Sequence, residues 1–318
     1  MRKWFTMLLV ALALVFAANA AHAQPSLKMM TPANPGGGWD QTGRNLANAM
    51  QSVKLVSSVQ FENKGGAGGT IGLAQFVNAA KGDPNAIMMG GMIMVGAIYL
   101  ENSPVNLSMV TPLARLTGEY EIIVVPANSP HKTTADLVKA FKANPGGVSW
   151  GGGSAGGTDH ILVGLIAKAA GIDTTKINYV PFKGGGEATA AIIGGHVTAG
   201  VSGVAEFAEQ IKGGRMRALA VSSPARIEGF QTLREQGIDV ELANWRGVFG
   251  APGITAAQAD ALVKIIRGAT ESASWKATLE KLGWSPIFLS GDAYKKFIEE
   301  DTKRVAGIID SLGIKTAK

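Results

Sequence analysis

The sequence has 318 residues, 46% of them hydrophobic and 17% charged, so it can form one or two globular domains with a sizeable core. The formal net charge is +6, but the basic residues are dispersed, which argues against a nucleic-acid binder. The absence of cysteine excludes disulfides and a lipid anchor attached to cysteine. Glycine is the outlier, with 42 residues, nearly twice the usual frequency of roughly 7%.

Residues 1–23 have the layout of a secretory signal peptide. Arg2 and Lys3 are followed by an apolar stretch at 4–18 and a small-x-small cleavage site at 21–23. The apolar stretch is short for the alternative, a membrane anchor. We therefore expect export to a bacterial periplasm, with cleavage after Ala23.

Three strand–turn–helix units are predicted in the first hundred residues. Strands at 27–30, 53–61 and 86–89 lead into glycine turns at 35–40, 63–70 and 90–91, and then into helices at 41–50, 71–80 and 92–100. Such repetition predicts a parallel sheet with right-handed crossovers. Since ligands bind beyond the carboxyl ends of such strands, the three turns are expected to lie together.

A second series of the same units follows an apolar segment at 105–116 and an interruption at 118–120. Strands are predicted at 121–125, 148–150, 177–182, 197–202 and 217–221, and helices at 135–143, 159–170, 188–193 and 204–211. Long glycine turns fall at 151–158 and 183–187. The segment as a whole predicts a second α/β lobe.

The remaining chain is predicted to complete the first lobe rather than to form a third. It contains one predicted strand, at 245–250, and helices at 255–271, 273–282 and 292–312. The chain would then cross between lobes twice, near Val125 and near Val221, and two crossings make a hinge. The expected division is 24–124 with 223–318 for one lobe and 125–222 for the other.

The glycine turns are candidate anion sites. Three consecutive glycines at 36–38 leave backbone N–H groups uncovered at the positive end of a helix. We predict that such turns face one another across a cleft and hold a carboxylate. Asp40, in the first turn of its helix, is expected to accept hydrogen bonds from the loop N–H groups. Lys183 is either a solvated residue or a partner of an anionic ligand.

Two enzyme motifs overlap the turn at 151–158. The G-x-G-x-x-G match at 151–156 lacks the acidic residue that a dinucleotide site needs at the end of the next strand. The G-x-S-x-G match around Ser154 makes a secreted serine hydrolase the alternative function. Its triad would need a later histidine, and only His160, on the adjacent helix, and His196 follow. No metal or cofactor is expected, because no histidine pair has ligand spacing and the carboxylates form no dense cluster.

The glycine motifs, taken in order, resemble a known family. They are Pro-Gly-Gly-Gly-Trp-Asp at 35–40, Gly-Gly-Ala-Gly-Gly-Thr at 65–70, Gly-Ser-Ala-Gly-Gly-Thr at 153–158, Phe-Lys-Gly-Gly-Gly-Glu at 182–187 and Gly-Gly-His-Val at 194–197. Together with the segments at 129–133 and 245–252, they are similar to the periplasmic receptors of tripartite tricarboxylate transporters. The resemblance covers nearly the whole mature chain.

The resemblance implies a type II periplasmic binding protein, with two α/β lobes and a hinge of two crossover segments, that closes on a carboxylated small molecule. Known members bind tricarboxylates such as citrate, dicarboxylates, amino acids or aromatic acids. The segments at 182–187 and 118–121 are most similar to the tricarboxylate branch. The ligand-binding residues that the resemblance implies are Gly37, Gly38, Asp40, Gly69, Thr70, Gly91, Ser154, Gly156, Gly157, Thr158, Gly184 and Gly185. Lys183, where other members carry other side chains, is either specific to this ligand or incidental.

The resemblance also implies partners. A receptor of this kind delivers its ligand to a membrane permease of one large and one small subunit, and the alternative is presentation of the closed form to a sensor protein. We expect a monomer without catalytic activity, cofactor or nucleic-acid partner.

Overall fold

The computed structural model describes residues 24–153, 155–182 and 185–313. The predicted signal segment 1–23 and three predicted site residues, Ser154, Lys183 and Gly184, lie outside this part of the chain. Within it, the fold is a mixed α/β structure of ten strands and ten α-helices. None of the described helices is both long enough and apolar enough to cross a membrane.

The strands are β1 (Ser26–Thr31), β2 (Ser58–Asn63), β3 (Ala86–Gly91), β4 (Thr111–Pro126), β5 (Ser149–Gly152), β6 (Asn178–Pro181), β7 (Ala199–Gly203), β8 (Met216–Val221), β9 (Ala243–Gly250) and β10 (Ser285–Ser290). The helices are α1 (Gly38–Ser52), α2 (Thr70–Ala79), α3 (Met92–Leu100), α4 (Thr134–Ala143), α5 (Thr158–Ala169), α6 (Gly185–Ile193), α7 (Val204–Lys212), α8 (Ala256–Glu271), α9 (Ala273–Leu282) and α10 (Gly291–Leu312).

The sheet has the strand order β2-β1-β3-β9-β4-β7-β5-β6, with β8 and β10 also paired to β4. Strand β1 pairs in parallel with β2 and β3, and β5 pairs in parallel with β6 and β7. The predicted parallel sheet of the first series is therefore confirmed, and the second series of strand–turn–helix units is present but also contains antiparallel pairs, β4 with β7 and with β8. The predicted strand at 53–61 begins late, at Ser58, because the chain turns first, with Lys54 at a positive φ of 56°.

The long strand β4 belongs to both halves of the sheet. Residues 111–120 pair with β9, whereas from Glu121 onward the strand pairs with β7 and β8. The predicted interruption at 118–120 is wrong, because these residues pair with β9 in register. Neighbouring strands complete the hydrogen-bonding ladder there, and tertiary pairing overrides the weak local propensity of glycine for strands.

The carboxyl ends of the two parallel sets converge on one short part of β4. Strand β3 ends at Gly91, which pairs with Arg246 of β9, and Arg246 in turn pairs with Thr117 of β4. From the opposite direction, β7 ends at Gly203, which pairs with Glu121. The turns that follow both sets therefore face each other across residues 118–120.

The C-terminal helices α8 and α9 pack on the first series of elements, and α10 also reaches the second. Helices α8 and α9 lie against α1, while α10 contacts β4, α3 and α5. At the last contact, a side-chain carbon on Gly164 would collide with Leu312. Strand β10 was not predicted. It begins with Ser285-Pro286 and has an irregular register between Pro286 and Leu289, which hides the alternation expected of a strand.

Candidate ligand-binding site

The first glycine turn is held by the carboxylate of Asp40. Its two oxygens accept hydrogen bonds from the Gly36 N–H at 2.9 Å, from Asn63 Nδ2 at 2.8 Å and from Arg44 Nε at 2.9 Å. Burial by itself would raise the pKa of Asp40, but these hydrogen bonds outweigh it and hold the pKa below its usual value. The predicted loop-bracing contact is therefore confirmed, while ligand contact by Asp40 stays a prediction. Gly37 and Gly38 follow this brace at the start of α1.

The second turn contacts the first, and the third lies against β9. Gly69 has a φ of +96°, and a side-chain carbon on it would lie 2.6 Å from the Trp39 ring. Thr70 begins α2, and its hydroxyl lies 2.9 Å from the Ala67 carbonyl. At Gly91, a side-chain carbon would collide with the Trp245 carbonyl of β9. The structure thus brings Gly38, Gly69 and Gly91 into one region, and only small residues fit at the last two.

The fourth turn, after β5, is braced by Asp159 and by a stacked pair of rings. Asp159 Oδ2 accepts from the Gly153 N–H at 2.5 Å, and His160 Nδ1 accepts from the Gly156 N–H at 3.1 Å. Tyr179 donates to the Gly153 carbonyl at 2.9 Å, and its ring stacks on His160 at a centroid distance of 4.1 Å.

Burial lowers the pKa of His160 to about 4, so the ring is neutral at pH 7 and Nδ1 can act as an acceptor. This nitrogen is occupied by the turn and is not presented to a nucleophile. Gly157 caps α5, and the Thr158 hydroxyl is buried without a hydrogen-bonding partner among the described residues.

The fourth turn also touches the first half of the protein. A side-chain carbon on Gly96 of α3 would collide with the Gly156 carbonyl, and one on Gly156 would collide with Leu100. Of the predicted site residues in the fifth turn, Gly185, the first residue of α6, is described. The described members of the predicted site therefore come from turns on both sides of β4.

Sequence reasoning missed a buried row of polar side chains between these turns. The register places Thr117 opposite Arg246 and Glu119 opposite Asn244, and alternate residues of a strand share a face. We call this group the polar row: Thr117, Glu119, Glu121, Asn244 and Arg246. Each member is at most 6% exposed. The one sequence signal was the alternation of polar residues at 117, 119 and 121, since the partner strand is more than a hundred residues away.

The polar row contains a buried ion pair. Arg246 Nη2 contacts Glu119 Oε2, and both side chains are 5% exposed. Arg246 Nη1 also donates to the Thr42 hydroxyl at 3.3 Å, and the guanidinium lies 5.0 Å from the Trp284 ring centroid. A side-chain carbon on Gly38 would lie 2.7 Å from Arg246 Nη2, so this cation lies directly against the first glycine turn.

The other carboxyl groups here are destabilised in their charged form. Burial raises the pKa of Asp159 to about 7 against the opposing effect of the Gly153 N–H. Burial, and then the charge of Asp159, raise the pKa of Glu121 well above its usual value. No described group donates a hydrogen bond to Glu121. Both carboxyl groups therefore bind a proton more readily than an exposed carboxyl group does.

The geometry favours binding rather than catalysis. It offers converging helix starts, backbone N–H groups and one guanidinium, which together suit a carboxylate. In the described part of the chain, no group of three or more histidine, aspartate or glutamate residues is arranged to hold a metal ion.

Comparison with known proteins gives consistent results. Residues 43–314 match the model of the tripartite tricarboxylate transporter family receptor. The chain is 28% identical to protein BugT of Bordetella pertussis, over 94% of this chain and 92% of the relative. It is 27% identical to a protein encoded in the gbd 5′ region of Cupriavidus necator, over 96% of this chain and 95% of the relative.

Solved structures share the fold. A TctC solute-binding protein from Polaromonas is 26% identical, with a TM-score of 0.69 over 92% of this chain and 100% of that chain. Two proteins of Rhodopseudomonas palustris, MatC with bound malate and another with adipate, are each 20% identical. Their TM-scores are 0.76 and 0.81, over 90% and 92% of this chain and 99% of each of theirs.

The α/β fold predicted from the sequence is therefore that of periplasmic binding proteins, and the matched family consists of receptors rather than hydrolases. The chain belongs to the tripartite tricarboxylate transporter receptor family and is a periplasmic solute-binding receptor, not an enzyme.

Proposed function

We propose that this receptor captures a carboxylated small molecule between two lobes, 24–124 with 223–318 and 125–222, and delivers it to a tripartite tricarboxylate transporter permease. A tricarboxylate such as citrate is favoured, with a dicarboxylate next. The observation that carries the proposal is the convergence of glycine turns from both parallel strand sets on residues 118–120 of β4. Malate and adipate in two structures of the same fold support a carboxylate ligand.

The proposed binding mode uses backbone N–H groups at the starts of α1, α2, α3, α5 and α6. Each helix start carries a partial positive charge, and several starts aimed at one cleft bind an anion without a dedicated side chain from each turn. The ligand contacts proposed for Gly37, Gly38, Asp40, Gly69, Thr70, Gly91, Ser154, Gly156, Gly157, Thr158, Lys183, Gly184 and Gly185 follow this scheme. Closure about β4 and the segment between β8 and β9 would enclose the ligand.

The test is thermal unfolding of the mature protein, residues 24–318, with a panel of citrate, malate, adipate, amino acids and aromatic acids. A ligand at a hundred times its Kd stabilises the folded state by about 2.7 kcal/mol, which shifts Tm by several degrees. We expect citrate or a dicarboxylate to give the largest shift. A panel with no shift contradicts the proposal, and a shift with amino acids alone contradicts the favoured ligand class.

Delivery needs a cellular test. We expect deletion of the receptor to abolish uptake of the identified ligand through a permease of one large and one small subunit. Unchanged uptake combined with loss of a ligand-dependent transcriptional response would instead identify the sensor protein as the partner.

A further inference from the structure

The guanidinium of Arg246 is placed where a ligand held by the first glycine turn would meet it. It is packed between the Trp284 ring, at 5.0 Å from its centroid, and the backbone of Gly38. Gly38 is the first residue of α1, so the cation and the positive end of this helix lie side by side. Two positive groups in contact favour an anion between or beside them.

The guanidinium has hydrogen-bonding capacity to spare. An arginine carries five N–H donors in a fixed fork. Within the described residues, Arg246 has two acceptors, the Thr42 hydroxyl and Glu119 Oε2. The fork can therefore take a further carboxylate, and a bidentate pair with a carboxylate is its preferred geometry.

Burying the charged guanidinium costs free energy unless an anion compensates its charge. Arg246 is 5% exposed and Glu119 is 4% exposed, and a buried ion pair often contributes no net stability over an apolar pair. Glu119 contacts the guanidinium and balances its charge. A side chain on Gly38 would displace the guanidinium, since a carbon there would lie 3.0 Å from Cζ.

We propose that Arg246 binds a second carboxylate of the ligand and thereby makes the receptor select di- and tricarboxylates over monocarboxylates. This inference rests on the proposed function, in which the backbone N–H groups of the glycine turns hold the first carboxylate. The glycine turns bind the first carboxylate of any such ligand, whereas Arg246 distinguishes ligands that carry a second carboxylate from those that do not.

The test is calorimetric titration of wild type and of Arg246→Gln with malate and adipate, each paired with an analogue in which one carboxylate is a carboxamide. We expect wild type to prefer each acid over its monoamide, and Arg246→Gln to lose about ten- to a hundredfold in affinity for the acids, the range for a hydrogen bond to a charged group. Its affinity for the monoamides should change much less. Arg246→Lys, which keeps the charge and loses the fork, should fall between the two.

A second variant separates ligand binding from a purely structural role. If Arg246 only paired with Glu119, then Glu119→Gln would reproduce the loss seen in Arg246→Gln. If Arg246 binds the ligand, Glu119→Gln removes a competing anion, and the acids should bind severalfold more tightly. Equal losses in the two variants would overturn the inference.

Arg115 provides the matched control. It lies on β4, which pairs with the strand of Arg246, donates to the Ile287 carbonyl at 2.9 Å and stacks over Phe297 at 4.2 Å, outside the polar row. Arg115→Gln should lower Tm without altering the preference for acids over monoamides. If wild type binds acids and monoamides equally, the inference fails while the proposed function stands. If no carboxylate binds at all, the proposed function itself fails.

Discussion

The first and fourth glycine turns use the same device in opposite electrostatic settings. In each, an aspartate in the first turn of the following helix accepts an N–H from the glycine loop, Gly36 for Asp40 and Gly153 for Asp159. Asp40 also accepts from Arg44 and Asn63, which stabilise its charge. Asp159 is buried close to another carboxyl group, Glu121, and forms no ion pair with a described residue.

The difference shows that two turns with the same hydrogen-bonding geometry can have different charge states. The pKa of Asp40 is lowered, so this brace is permanently ionised near neutral pH. The pKa of Asp159 is about 7, so its brace changes protonation in the physiological range. One turn is therefore a fixed part of the site, and the other is sensitive to pH.

The largest effect is expected from removal of the fixed brace by Asp40→Ala. This leaves the Gly36 N–H and the Asn63 amide without their acceptor and should destabilise the folded state by about 2–4 kcal/mol. Urea unfolding at pH 7 measures the change. Asp83→Ala is the control, because Asp83 also accepts a loop N–H, from Asn85, but at a more exposed position. A loss no larger than that of the control would show that Asp40 is not the brace of the first turn.

The second effect is a pH dependence of stability with opposite signs for the two aspartates. Burial raises the folded-state pKa of Asp159 from 3.8 to about 7, so between these values the unfolded chain releases a proton that the folded chain keeps. Stability should therefore fall as pH rises from about 4 to about 7, by up to about 1.4 kcal/mol per pH unit for one proton. Asp40, with a lowered pKa, gives stability that is lost only as pH falls below 4.

Urea unfolding between about pH 3 and pH 8 tests this with Asp159→Asn, whose amide is neutral throughout and can still accept from Gly153. The variant should show a flatter profile above pH 4 than wild type and should retain the loss below it. Identical slopes for the two proteins between pH 4 and pH 7 would show that Asp159 does not hold the proton.

The strand–turn–helix units could be predicted from the sequence because their signals are local. Apolar runs mark β1 and β3, and glycines mark the turns that follow them. The continuity of β4 through Gly118 could not, since it depends on pairing with Trp245. The same holds for the site. The glycine turns are visible as motifs, whereas the ion pair of Glu119 and Arg246 joins residues separated by 127 positions.

Glu121 shows why the remaining site chemistry needs the structure. In the sequence, the segment Gly-Glu-Tyr-Glu at 118–121 looks like an exposed break between apolar strands. In the fold, Glu121 is 1% exposed and faces Asp159. The raised pKa values of both groups come first from burial and then from the charges of neighbouring carboxyl groups, and neither cause can be derived from residue spacing.

The smallest effect is expected at the outer support of the fourth turn, Tyr179. Its hydroxyl donates to the Gly153 carbonyl at 2.9 Å, and its ring packs on His160. Tyr179→Phe keeps the stacked ring and removes the hydrogen bond, so unfolding free energy should fall by about 0.5–1.5 kcal/mol. The control is Tyr99→Phe, which removes the exposed hydrogen bond to Asp310 and should change stability less.

The loss of unfolding free energy expected for Tyr179→Phe is small because the first and fourth turns are stabilised differently. The first turn is stabilised by one charged acceptor, Asp40. The fourth turn is stabilised by hydrogen bonds with three side chains, Asp159, His160 and Tyr179, so two remain when one is removed. Hydrogen exchange of the Gly153 and Gly156 amides measures this directly. Tyr179→Phe should leave both amides protected, and exchange as fast as that of an unfolded loop would show that the tyrosine, not the aspartate, holds the fourth turn in shape.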